Sequence, residues 1–255
     1  MPRIIIIGDV HGCILELEAL VASLNIQPHD HVISIGDLID KGPEPAAVIR
    51  FMVHLKQRCK VDLILGNHEE KFLRYVKHVQ KGNGFELKMQ GTDEFKPLIK
   101  ELNDAEFAFL NSAYYSYHIP QFNLLLVHGG LLKQMAFKLP CSYNYNNPNH
   151  TALKDIALIT KTRYLNTAGK FVALGSETSA DAYWAETYNG QFGYVIFGHQ
   201  PFIQEQAKHF TFATGIDTGC VFGGWLTACI IDEDGKHNYV TEKALKKYAL
   251  IKHSK

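Results

Sequence analysis

Short apolar runs separated by amphipathic stretches open the chain, and their alternation predicts its first half. "RIIIIGD", residues 3–9, is a continuous β-branched run, the pattern of a strand buried on both faces. "CILELEALVASLN", residues 13–25, places apolar residues at helical spacing. "HVISIGD", residues 31–37, reads as a second strand, and "PEPAAVIRFMVHLKQR", residues 43–58, as an amphipathic helix with prolines at its start. "KVDLILGN", residues 60–67, is a third strand. This β-α-β-α-β order predicts parallel strands.

After Lys81 the pattern weakens, and residues 81–112 read as loop plus helix. "FNLLLVHGG" (122–130) and "YVIFGHQ" (194–200) are further strands, and residues 209–243 read as several antiparallel ones. Residues 131–193 are irregular, with the Asn-rich "YNYNNPNH" at 143–150. Without a repeat, low-complexity tract or linker, residues 1–255 read as one α/β domain. Within it, residues 131–193 are expected to form a substrate-shaping insertion.

Composition narrows the class. Apolar residues make up 46%, enough for a substantial core. Lys+Arg and Asp+Glu balance at 26 each, so no charge excess points to nucleic acid or an anionic membrane. The five cysteines are scattered and lack a CxxC pair, which argues against a disulfide framework or a thiolate zinc site. No run approaches membrane-spanning length, and Ile4 to Ile7 is too short for a secretory leader. A soluble cytoplasmic protein is expected.

Five strands end in Gly followed by a polar metal-capable residue, or in His followed by Gly: "IIIIGDVHG", "ISIGDLIDKG", "LILGNHE", "LLLVHGG" and "VIFGHQ". In open α/β sheets, ligands bind at the carboxyl ends of strands. Asp9, His11, Asp37, Asn67, His128 and His199 are therefore predicted to converge. Singly, each is a commonplace turn or structural histidine; five together are not. Asp and His with oxygen donors suit Mn, Fe or Zn rather than Mg alone. Six ligands exceed the four of a structural zinc and suit two ions sharing a carboxylate. Two divalent ions carry about +4, Asp9 and Asp37 about −2 and a bridging hydroxide about −1, leaving positive charge to attract a phosphate.

The set "GDVHG", "GDLIDKG", "GNHE", "HGG" and "GHQ" resembles the calcineurin-like metallophosphoesterase superfamily, and within it the phosphoprotein phosphatase group. That group includes Ser/Thr protein phosphatases and symmetrical diadenosine tetraphosphatases. The resemblance implies a four-layer α/β/β/α sandwich with two mixed sheets. It implies that Asp9 and His11 hold one metal, that Asp37 bridges, and that Asn67, His128 and His199 complete the second. Two divalent ions are implied, Mn first, with Fe, Zn, Co or Ni as alternatives. His68 would be the general acid oriented by Asp40, because a carboxylate fixes the imidazole tautomer. Asn67, Lys41 and Arg163 would bind substrate phosphate while metal hydroxide attacks.

"GIDTGCVFGGWLTACI" (215–230) and "TKTRYL" (160–165) are similar to segments of the diadenosine tetraphosphatase-like (ApaH-like) branch, with Lys161 at an arginine position. Lys41 replaces the arginine of the protein phosphatases and cannot make their bidentate fork. Glu69 and Gly129 lean towards the protein phosphatases. The implied activity is thus symmetrical dinucleoside tetraphosphate hydrolysis or Ser/Thr phosphoprotein dephosphorylation. The implied partner is a phosphorylated small molecule, nucleotide or phosphoprotein. A non-catalytic protein-binding module on the same fold is the alternative, and the complete ligand set argues against it.

Other residues have plainer readings. Glu69 and Glu70 suit a helix start, where the dipole favours acids. Tyr143, Tyr145 and Trp184 are loop aromatics expected to pack locally, with stacking on adenine as the lesser reading. Cys13 and Cys220 are expected to pack.

Overall fold

The computed structural model describes residues 2–135, 138–146 and 155–251. The first half follows the predicted alternation: β1 (Ile4–Ile7), α1 (Ile14–Leu24), β2 (His31–Ser34), α2 (Pro45–Leu55), β3 (Lys60–Leu63) and α3 (Asn67–Lys81). Then come α4 (Phe95–Glu101), α5 (Asp104–Asn111), β4 (Tyr114–Ile119), β5 (Leu124–Val127) and β6 (Tyr143–Asn144). The last part contains β7 (Tyr164–Leu165), β8 (Phe171–Val172), β9 (Ala182–Tyr183), α6 (Trp184–Thr187), β10 (Tyr194–Phe197), β11 (Lys208–His209) and β12 (Ala213–Gly215). β13 (Trp225–Ile231) and β14 (His237–Lys243) close the chain.

Two mixed sheets form, as the resemblance implies. The first has the order β14-β13-β1-β2-β3, with β1, β2 and β3 parallel and β13 antiparallel to β1. The second runs β11-β12-β10-β5-β4-β6, with β5, β10 and β12 parallel. A small antiparallel sheet, β8-β7-β9, was not foreseen; its two-residue strands are too short to show a period.

Packing explains the opening isoleucines. Ile4 and Ile6 join Ile33, Leu126, Ile196 and Cys229 in a core between the sheets. Ile5 and Ile7 face the other way, into the core shared with Leu17, Leu20 and Met52 of α1 and α2. A continuous apolar run is what a strand needs when both sides are covered. The outer face of the second sheet is covered by short pieces of segment 156–188, where Trp184 meets Phe197 at 4.9 Å between ring centroids. Of the expected insertion 131–193, including the Asn-rich stretch, residues 136–137 and 147–154 lie outside the described residues.

The two sheets touch along one edge. Ile64, just past β3, bridges to Tyr114 at the start of β4, and Leu65 N donates to the Tyr114 carbonyl at 2.7 Å. Behind α1, the buried Glu16 carboxylate accepts from Leu245 N at 2.9 Å and the Tyr248 hydroxyl at 2.8 Å. That contact fastens the segment after β14 to the first helix. Among the described residues no helix is long and apolar enough to cross a membrane.

Ile5→Ala and Ile6→Ala are each expected to cost about 2–5 kcal/mol, because each leaves a cavity in a different core. Denaturant unfolding of both variants checks this: a strand covered on one side only would show the loss in one of them.

Candidate metal centre

The parallel strands of both sheets aim their carboxyl ends at one mouth. β1 delivers Asp9 and His11, β2 delivers Asp37, and β3 delivers Asn67 at the start of α3. From the second sheet, β5 delivers His128 and β10 delivers His199. Seven described non-glycine residues have positive φ, and five of them are His11, Asp37, Asp40, Lys41 and His199. Left-handed backbone costs a non-glycine residue roughly 1–2 kcal/mol. Strain is therefore concentrated where these side chains converge, as it is at functional sites.

The side chains come within ligand distance of one another. Asp37 lies 3.5 Å from His11 Nε2, 3.8 Å from His68 Nε2 and 3.3 Å from His128 Nε2. Donor atoms of His11, Asp37 and His68 form one group within 4.8 Å, and those of Asp37, His128 and His199 form another. Asp37 belongs to both, which is the position a bridging carboxylate requires. Asn67 Oδ1 lies 3.2 Å from His128 Nε2. Asp9 Oδ2 accepts from His199 N at 3.0 Å, joining the first sheet to the second.

Backbone carbonyls orient the imidazoles. His11 Nδ1 donates to the Ile39 carbonyl at 2.9 Å and His128 Nδ1 to that of Ile35 at 2.8 Å. Each Nε2 then faces the mouth with a lone pair once deprotonated, an arrangement that metal-ligating histidines share. His68 differs: its Nδ1 meets Asp40 Oδ2 at 2.5 Å, a carboxylate partner rather than a carbonyl.

Two orphaned atoms test whether cations fit. Asp9 Oδ1 and His199 Nε2 are buried with no hydrogen-bond partner among the described residues. Buried polar atoms are rarely left so, and a carboxylate oxygen and an imidazole nitrogen are both donors that Mn, Fe or Zn accepts. The residues present therefore fit divalent metal ions.

The local electrostatics are strongly perturbed. Burial pushes Asp9 well above the usual carboxylate range, and Asp217 adds to this. Burial acts likewise on Asp37, but the imidazoles of His128 and His68 outweigh it and hold this carboxyl well below that range. Burial drives His11 and His199 well below the usual imidazole value, helped by Lys41 at His11 and by Arg163 at His199. Both rings are thus neutral, the form that coordinates a metal. Burial opposes a charge on His128 too, yet Asp37 and Asp9 prevail and lift it to about 9. Burial also works against the Asp40 carboxylate, but the hydrogen bond and charge of His68 hold it well below its usual range.

The other expected residues are less uniform. Lys41 Nζ meets His11 Nε2 at 2.7 Å, so its ammonium stands inside the cluster. Arg163 Nε donates to Gln200 Oε1 at 3.0 Å and Nη2 to the His199 carbonyl at 2.8 Å, which anchors it at the rim. Lys161 is exposed and lies over the Phe171 ring at 5.9 Å, outside the cluster.

Two residues emerge that the sequence reading did not single out for the site. Asp217 follows β12, the neighbour of β10, and adds an acid at a sixth strand end. Its signal was present in "GIDTG", although one residue separates this acid from its glycine. The other is Glu69, whose carboxylate is fully buried. It accepts from Asp37 N and Leu38 N at 2.8 Å each, and from Ile39 N and Gly66 N at 3.1 Å each. Its bond to Gly66 is the helix-start role expected of it; the other three are not local and leave no trace in the sequence. Burial lifts its pKa to about 7, with the Asp37 charge adding to the rise. A Cβ on Gly66 would overlap both Asp37 and Glu69, so only glycine lets these loops meet. Glu70 keeps the plainer role and pairs with Arg74 at 3.7 Å.

Acids and imidazoles from six strand ends, gathered between two mixed sheets, define a metal-dependent hydrolase. The chain belongs to the calcineurin-like phosphoesterase family, whose profile matches residues 2–202. It is an enzyme that hydrolyses phosphate esters or anhydrides and uses divalent metal ions. A bis(5'-nucleosyl)-tetraphosphatase PrpE (asymmetrical) of Oceanobacillus iheyensis is 31% identical over 242 residues, spanning 89% of this chain and 87% of that one. The protein of the same name from Bacillus subtilis is 29% identical over 235 residues, spanning 87% and 88%. A crystal structure described as a candidate diadenosine tetraphosphatase superposes with a TM-score of 0.69 at 25% identity, covering 95% of this chain and 96% of that one. A Ser/Thr phosphatase from Saccharomyces cerevisiae, at 15% identity, TM-score 0.56 and coverages of 96% and 81%, shares the fold.

Glu69→Ala strips the acceptor from four buried backbone amides, each costing about 1–3 kcal/mol when left unpaired. The expected outcome is a lower melting temperature together with weakened Mn binding by calorimetry. A variant that melts and binds Mn like the parent contradicts the clamp.

Proposed function

We propose that this chain is a two-metal phosphoesterase that cleaves dinucleoside tetraphosphates asymmetrically, releasing a nucleoside monophosphate and a nucleoside triphosphate. The observation that carries the two-metal reading is Asp37, shared by two groups of donors, with Asp9 Oδ1 and His199 Nε2 orphaned beside it. Support for the substrate comes from the relatives, named as asymmetrical bis(5'-nucleosyl)-tetraphosphatases. Branch resemblance alone favours the symmetrical cut, which would release two nucleoside diphosphates.

Asp9, His11 and Asp37 would hold one ion, and Asp37, Asn67, His128 and His199 the other. Bound there, divalent ions supply Lewis acidity and an acidified water to an in-line displacement. Manganese is our first candidate on donor type. His68 holds its ring through Nδ1 to Asp40 and turns Nε2 towards Asp37, where it can protonate the leaving oxygen. With Nε and one N–H of Nη2 engaged, Arg163 has Nη1 and the second N–H of Nη2 to offer to phosphate oxygens. Lys41 adds a positive charge beside His11, and the Asn67 amide a neutral donor. We assign the enzyme to the cytoplasm, which suits its five free cysteines.

Incubating the protein with diadenosine tetraphosphate and Mn, then resolving nucleotides by ion exchange, should give AMP and ATP. Two ADP would establish the symmetrical cut. Turnover of a phosphothreonine peptide with none of the dinucleotide would move the substrate class to phosphoproteins. His68→Ala should lower kcat by about two to four orders of magnitude, the usual share of a general acid, with Mn stoichiometry unchanged; a lost metal would make His68 a ligand instead. Chelation should abolish p-nitrophenyl phosphate hydrolysis and added Mn restore it, whereas Asp37→Asn should not recover.

A further inference from the structure

At the start of α1, two thiols and a carboxyl meet that the hydrolase chemistry does not use. Donor atoms of Cys13, Glu16 and Cys220 all lie within 4.8 Å of one another. Each of these residues is at most 1% exposed. Cys13 Sγ donates to the His11 carbonyl at 3.7 Å, and the two thiols are hydrogen-bonded to each other. Glu16 Oε1 accepts from Leu245 N and the Tyr248 hydroxyl. Its Oε2 is buried and has no hydrogen-bond partner among the described residues. A carboxyl oxygen left so in a dry interior is costly.

The local fold brings these groups together. Cys13 is the N-cap of α1 and makes no side-chain cap bond, so its sulfur is free to turn towards its neighbours. Glu16 stands three residues on, in the first turn, and on a helix that spacing puts both side chains on one face. The positive end of the helix dipole favours anionic donors there. Cys220 opens a short turn after β12, between Gly219 and Gly223, both in left-handed backbone. The segment after β14 closes over the group. Tyr248 N and Ala249 N each donate to the Val221 carbonyl at 3.0 Å. The half-buried Tyr248 lies near enough to both thiols to sense their charge. The two sulfurs come from opposite ends of the chain, which is why a search for CxxC spacing passes over them.

We propose that Cys13, Glu16 and Cys220 form a third metal site, separate from the dinuclear centre, which takes a zinc ion. Two thiolates select a soft or borderline metal, and the carboxylate favours zinc over copper(I). Tetrahedral bonds of about 2.1–2.3 Å set donor atoms roughly 3.5–3.8 Å apart, a spacing inside the 4.8 Å envelope that these three already occupy. A disulfide between the sulfurs would leave Oε2 orphaned, whereas an ion satisfies it. Burial and the Cys13 contact push the Cys220 thiol up, so zinc displaces thiol protons as it binds. The Tyr248 hydroxyl, 2.8 Å from Glu16 Oε1, flanks the fourth position. The covering segment lies outside any helix or strand and is partly exposed, and its displacement gives the ion a route in. Zinc here fastens the loop that carries Asp9 and His11 to the loop that carries Asp217, and so stiffens the mouth without touching substrate.

X-ray absorption on the full chain, stripped by chelation, kept reduced and reloaded with zinc, tests this. The dinuclear donors are oxygen and nitrogen, so Zn–S scattering at about 2.3 Å reports thiolate ligation alone. The expected result is Zn–S scattering in the parent, its loss in Cys220→Ser, and about one more zinc per chain in the parent than in that variant. Glu16→Gln keeps the acceptor for Leu245 N and Tyr248 but replaces the orphaned oxygen with an amide. Titrated with cobalt(II) in place of zinc and followed by the sulfur-to-cobalt charge-transfer band, it should bind at least about tenfold more weakly than the parent. Its Mn-dependent hydrolysis of p-nitrophenyl phosphate should be unchanged. If Cys220→Ser fails to fold, the parent spectrum and Glu16→Gln decide. A parent that holds zinc through oxygen and nitrogen only overturns the proposal. So does Zn–S scattering that persists in full in Cys220→Ser, an unchanged cobalt affinity in Glu16→Gln, or a Cys13–Cys220 disulfide in the reduced preparation.

Discussion

One buried carboxylate organises the mouth of this enzyme. Glu69 draws four backbone N–H groups onto two oxygens, three of them from the consecutive residues Asp37, Leu38 and Ile39. Those bonds tie the loop after β2 to the first turn of α3, and so tie Asp37 to Asn67 and His68. The same loop contains Asp40 and Lys41 in left-handed backbone. A loop that strained would relax if it were free, and the clamp supplies the restraint. Charge-assisted bonds of this kind are stronger than neutral ones and act here in a dry setting, where they strengthen further.

Around that loop, Asp37 and Asp40 each keep their charge beside imidazoles. Asp37 faces three of them and Asp40 faces His68. Burial would neutralise each group separately; partners of opposite sign decide which of them keep a charge. The pattern separates His68 from the other histidines. Three rings have little exposure and point a nitrogen at the cluster, whereas His68 is backed by a carboxylate and its side chain is 18% exposed. Backing by an acid suits proton delivery, and backing by a carbonyl suits coordination.

Much of this was legible in the chain. β1 announced itself through four successive isoleucines, because burial on both faces demands an unbroken apolar run. The convergence of Asp9, His11, Asp37, Asn67, His128 and His199 followed from one rule, that parallel strands present their carboxyl ends together. What escaped was long-range or brief. Glu69 reads as a helix-start acid until its three distant amides are seen, and nothing within residues 67–73 encodes them. Asp217 missed the Gly-Asp pattern by one intervening isoleucine. β7, β8 and β9 span two residues each, below any detectable period, so the small sheet they build could not be read. Trp184 reads as a loop aromatic because neither its burial nor its contact with Phe197 is local.

The bridge between Ile64 and Tyr114 has a mechanical consequence. Asp9, His11, Asp37 and Asn67 are rooted in one sheet, while His128 and His199 are rooted in the other. Sliding one sheet over the other by an ångström would alter every spacing across that divide. The seam at Ile64 and Leu65 lies only two residues before Asn67 and pins the sheets at that edge. The interlocked isoleucines and leucines between the sheets resist shear elsewhere. The calibre of the mouth is therefore set by close-packed hydrocarbon behind it, and the loops in front inherit an aperture they do not control.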